Sequence, residues 1–156
     1  MPAIRTASIG GVHKDAYEID EAIDSYQRGF DGDPKSTYCL LNILCLLTIR
    51  DKTGDRLRSK RLLPIADNLT AEAMKSKGAD YWTMYDRAYF FAFADSASNA
   101  KGLFVQAIEK TKSIGELRSA RKNLDLLKDA GTNIAALPSI LSLFDDAEAM
   151  LSVRET

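Results

Sequence analysis

The feature that most limits what this chain can fold into is a short pattern. Ala22 is followed by Tyr26 four positions on, by Gly29 three further and by Pro34 five beyond that. On a helix those spacings put Ala22, Tyr26 and Gly29 on one stripe. The small residues admit a second helix closely, the aromatic fills the gap beside them, and the proline stops the helix before the next begins. A helix pair built this way cannot bury its apolar face alone, so the pattern requires a stack.

The stripe returns at Ala100-x-x-x-Phe104-x-x-Ala107. Small–aromatic–small followed by a helix stop is the second half of a tetratricopeptide-like repeat of about 34 residues. With Ala22 at the twentieth position the first repeat starts at Ala3, Gly10 falls on the eighth position, and His13 takes the eleventh, usually a tyrosine. Ala22 and Ala100 lie 78 residues apart, about ten more than two repeats. The extra residues fall between Asp51 and Pro64, so the middle repeat is expanded.

Nearly everything reads as helix, because turn signals separate segments of helical length and no run alternates apolar and polar residues. The pattern predicts helices at about Ala3–Lys14, from Ile19 to just before Gly32, and at about Lys35–Arg50. Asp55–Leu63 can also be helical, with Pro64 breaking it or starting a new helix that Gly78 closes. Asp80 is placed to cap Tyr81–Phe93, and Ser98–Thr111, Gly115–Asp129 and Pro138–Val153 follow. The expectation is one all-α domain over residues 1–156, a tetratricopeptide-like stack of antiparallel helix pairs with about seven helices. Its irregular repeats cover about 3–36, 37–78 and 80–112, with terminal helices at 115–130 and 138–153.

Composition narrows the role. Twenty-one basic and 22 acidic residues give a net charge of −1, so no general basic field attracts nucleic acid or an anionic membrane. The apolar run Leu40–Ile49 is too short to span a bilayer, and the N-terminal segment has no apolar leader core. Cys39 and Cys45, six apart, match neither a redox pair nor a metal pattern and read as buried free thiols in a reducing cytoplasm. His13 is the only histidine and reads as a packed residue. Asp145, Asp146 and Glu148 read as the solvent face of the last helix, and Asn42 as a buried polar group that fixes helix register. With no nucleophile–base pair, metal spacing or phosphate loop, the chain reads as a non-enzyme without cofactor.

Further motifs resemble a known family. Gly10-Gly11-Val12-His13-Lys14-Asp15, Ala22-Ile23-x-x-Tyr26-x-x-Gly29-Phe30 and Tyr38-x-x-x-Asn42 resemble the TRAFs-binding domain in the central regulatory part of apoptosis signal-regulating kinases. Leu62-Leu63-Pro64, Asp80-Tyr81-Trp82 and Ala120-Arg121-x-Asn123-Leu124 are similar to later motifs of its bacterial branch. The resemblance spans about Ala7 to Ala130. It implies a tetratricopeptide-like fold, a regulatory or scaffolding role through protein contacts, and no catalytic residues. His13 and Arg87 depart from the family pattern, where an aromatic and a small or apolar residue are usual.

The repeat register selects a candidate site. The groove-facing positions fall on Tyr38, Leu41, Cys45, Thr48 and Ile49 in one repeat, and on Trp82, Tyr85, Tyr89, Ala92 and Phe93 in the next. Such a face would receive an amphipathic helix or extended peptide of a protein partner. The opposing expectation is that the stack curls tightly, or that Pro138–Val153 folds back and fills the groove. A second class of reading makes the groove a permanent oligomer interface. A third uses the basic cluster Arg56, Arg58, Lys60 and Arg61 to hold an anionic ligand or nucleic acid, against the plainer reading of a solvated helix face.

Overall fold

The computed structural model describes residues 12–76 and 80–155. They form seven helices: α1 (Val12–Gly32), α2 (Thr37–Arg50), α3 (Asp55–Lys75), α4 (Tyr81–Phe93), α5 (Ala97–Lys110), α6 (Ile114–Asp129) and α7 (Leu137–Glu155). No strand occurs among the described residues. The all-α helix stack expected from the sequence is the observed architecture.

Local chemistry explains the boundaries. Ser36, Asp80 and Ser113 each accept a backbone N–H of the first turn that follows, at Cys39, Thr83 and Glu116. The helices α2, α4 and α6 all stop on a residue in the left-handed region: Asp51 (φ 43°), Asp95 (φ 60°) and Gly131 (φ 69°). After α6 the Thr132 N–H bonds the Leu127 carbonyl and the Gly131 N–H bonds Lys128, and Ser96 and Asp95 repeat that double closure after α4.

Two boundaries differ from the sequence expectation. The break foreseen between Lys14 and Ile19 does not occur, and α1 runs unbroken from Val12. The intervening Asp15-Ala16-Tyr17-Glu18 contains no glycine or proline to stop a helix. The predicted helix from Ala3, with Gly10, lies mostly outside the described residues, as do the side chain of His13 and Gly78. Pro64 neither ends nor starts a helix. It lies inside α3, on the exposed side, where water can take the Lys60 carbonyl that its missing N–H leaves unbonded. The helix survives because both halves are anchored. Asp55 is held by Arg50 at 2.8 and 2.9 Å, and Arg87 of α4 grips Asp67 Oδ1 (2.6 Å) and Thr70 Oγ1 (3.0 Å).

The two small–aromatic–small stripes are packing surfaces. Ala22 and Tyr26 are buried, and a Cβ on Gly29 would come within 2.8 Å of Cys39 Sγ, so α1 and α2 meet there through backbone. On α5, Ala100, Phe104 and Ala107 are fully enclosed. The central element is α2, buried without interruption from Cys39 to Leu47. Leu40, Leu41, Leu44 and Cys45 join the core shared with α4–α7, while Cys39, Ile43, Leu46 and Leu47 join the one shared with α1. A helix apolar all round is what such a position demands.

Candidate functional site

The face chosen from the repeat register is largely occupied by the chain itself. Alternating helix direction makes α2, α4 and α6 run the same way, and α6 lies against the other two. The Tyr89 hydroxyl donates to the Ala120 carbonyl, and Asn123 Nδ2 donates to Asn42 Oδ1 at 3.1 Å. From α7, Phe144 stacks on Tyr85 with centroids 6.0 Å apart and meets Phe104 edge-on at 5.8 Å. Leu41, Cys45, Tyr85 and Tyr89 are therefore core residues, which corrects the open groove expected at these positions. The physical reason is that α6 follows the inner row instead of extending the stack, and α7 then closes over its end. The Cys45 thiol is pushed up to about 12 by burial, as is the Tyr85 hydroxyl.

Five of the ten groove positions keep contact with solvent, Tyr38 and Trp82 at one end of the inner row and Thr48, Ile49 and Phe93 at the other. Tyr38, 54% exposed, and Trp82, 39% exposed, belong to the first turns of α2 and α4. Nearby, Thr37 Oγ1 in the first turn of α2 donates to Asp86 Oδ2 in the second turn of α4 at 3.3 Å. Tyr38 rests edge-on against Tyr26 (5.8 Å), and Trp82 against Tyr81 (5.0 Å) and Tyr85 (5.9 Å). Desolvation raises the Asp86 carboxyl to about 6, opposed only in part by the Thr37 hydroxyl and reinforced by Asp80. The sequence reading passed over Asp86, because its burial depends on where α2 lies rather than on any local pattern.

At the opposite end Phe93 is half-buried and forms part of a cleft of about 590 Å³. Two members of the basic cluster, Arg56 and Lys60, reach this cleft. The cluster does not act as one patch. Arg56 is clamped by both oxygens of Asp51 (2.9 and 3.1 Å), Arg58 crosses to Gln27 on α1 (2.7 Å), and Arg61 is exposed. Arg56 and Lys60, four positions apart, share the cleft side of α3, while Arg58 and Arg61 belong to other sides of the helix.

Other polar residues hold helices together. Asn42 is buried as expected, donating to the Tyr38 carbonyl of its own helix and accepting from Asn123 in the middle of α6. Arg121 binds Asp145 (2.9 Å) and Glu148 (3.4 Å) of α7. Those two acids therefore face a cation on α6, which corrects the purely solvated face read from sequence. Arg87, the departure from apolar character, lies over Phe90 (4.9 Å) and Phe91 (4.5 Å) while it grips α3. Among the described residues no helix is long and apolar enough to cross a membrane. No protein-family model, no curated protein and no solved structure matches this chain.

Proposed function

We propose that this chain is a non-catalytic protein-interaction module, a regulatory scaffold of the kind implied by its resemblance to the TRAFs-binding domain, working in the cytoplasm. One observation carries the reading: Tyr38 and Trp82 stay exposed at the first turns of α2 and α4, two helices that pack against each other. Tyrosine and tryptophan supply large contact area at low entropic cost, which is why they dominate binding hot spots. Between its two ends the inner face is filled by α6 and α7, which argues against a permanent oligomer interface there. The dispersal of Arg56, Arg58, Lys60 and Arg61 likewise argues against a phosphate-binding stripe.

The test replaces Tyr38 and Trp82 together by lysine and measures partner capture from the native host beside the melting temperature. Capture of specific partners should fall about tenfold or more while the melting temperature moves by only about 3 °C. Undiminished capture by the folded double variant would sink the reading.

A further inference from the structure

The cleft at the other end of the inner row has a different character. It lies where α2, α4 and α6 stop, with α3 as its far wall and the turn from Ala130 to Ile134 as its rim. Its volume of about 590 Å³ falls inside the range of small-molecule sites. Ile49, Leu63, Phe93 and Ile134 line it, each packed on the core beneath yet only half-buried. Phe93 is held from below by Tyr89, with centroids 6.2 Å apart, so the apolar floor is firm.

The charges decide what can sit there. Helix C-termini carry partial negative charge. Here that charge is largely answered within the fold. Arg50 and Lys128 stand in the last turns of α2 and α6. The Asp51, Gly131 and Thr132 N–H groups take the end carbonyls at 2.9 to 3.1 Å. Of the two cations in the cleft, Arg56 is already committed to Asp51. Lys60, one turn further along α3, is exposed, and its ammonium makes no hydrogen bond or ion pair with another described residue. Asn133 adds an exposed amide on the opposite rim. An apolar floor with one uncommitted cation on one wall suits a ligand with an apolar body and a single negative end.

We infer that this cleft binds a small anionic amphiphile, an aliphatic or aryl monocarboxylate, with its carboxylate on Lys60 and its body over Phe93 and Ile134. That orientation follows from Lys60 standing on the α3 wall, with Phe93 and Ile134 contributed by the other elements around the cleft. This site is separate from the Tyr38–Trp82 face and stands or falls without it.

The experiment titrates the full chain with decanoate, decan-1-ol and decyltrimethylammonium, followed by amide and methyl NMR shifts. Decanoate should bind about tenfold or more tightly than decanol, the cation more weakly still, with shifts confined to Ile49, Lys60, Leu63, Phe93 and residues 130–134. Lys60→Glu should lower decanoate affinity about tenfold or more, and Ser59→Trp, which fills the cleft from the α3 wall, should abolish binding. Equal binding of decanol, shifts centred elsewhere, or full affinity in Lys60→Glu would each overturn the assignment.

Discussion

The stripe on α1 and the stripe on α5 have the same design and different surroundings. Phe104 is ringed by Tyr85, Tyr89 and Phe144 from two other helices, with centroids between 5.3 and 6.1 Å. Tyr26, at the corresponding place, has one aromatic ring partner among the described residues, the half-exposed Tyr38. The third position differs as well, glycine on α1 and alanine on α5. The α1–α2 approach leaves no room for a methyl group, whereas Ala107 is enclosed with its methyl in place. A repeat signature thus specifies that two helices touch. How deeply they are enclosed depends on which elements come after them.

That comparison can be broken by measurement. Phe104→Ala should cost about 4 kcal/mol, because it opens a cavity walled by rings on several sides, and Tyr26→Ala about 1 kcal/mol less. Equal losses in urea denaturation would show that the two stripes are enclosed alike. Gly29→Ala should cost about 1–2 kcal/mol through the clash with Cys39. A double-mutant cycle with Cys39→Ala should recover most of that loss, and additive costs would place the strain elsewhere.

Asp86 joins α4 to α2 through Thr37 and carries a pH dependence. Its folded pKa, about 6, lies above its ordinary value of 3.8. The native state therefore holds the proton more tightly, so the stabilising contribution is complete below about pH 4 and is lost as pH rises through about 6. Asp86→Asn keeps a polar partner for Thr37 without the charge. It should raise stability by about 1–2 kcal/mol at pH 8 and remove the decline between pH 4 and 6. An unchanged pH profile of melting would show that this carboxyl is not the source. The smallest effect belongs to Gly102, in the middle of α5 with open space around its Cα. Gly102→Ala should stabilise by about 0.5–1 kcal/mol, opposite in sign to Gly29→Ala, as a rise in melting temperature would register.

Much of the fold was legible because its signals are local. The stripes and the cap at Asp80 each act within a few residues, and each appears where its chemistry places it. Pro64 misled because a local rule met a tertiary override, two anchored half-helices outweighing one lost hydrogen bond. The site was less legible for a related reason. The repeat register picked a row of α2 and α4 residues, and whether that row is open depends on the direction α6 takes. That direction is set by contacts such as Asn42–Asn123, 81 positions apart, for which sequence spacing offers no signal.

The missing rung at Pro64 has a consequence for how the molecule opens. The first half of α3 is bound to α2 through Arg50, the second to α4 through Arg87, and the hydrogen-bond ladder is interrupted between them. Native-state hydrogen exchange should therefore divide this one helix between two cooperative units. The amides before Pro64 should exchange in step with α1 and α2, and those after it in step with α4 and α5. The boundary between the parts of this protein that unfold separately then falls within a helix, not at a loop.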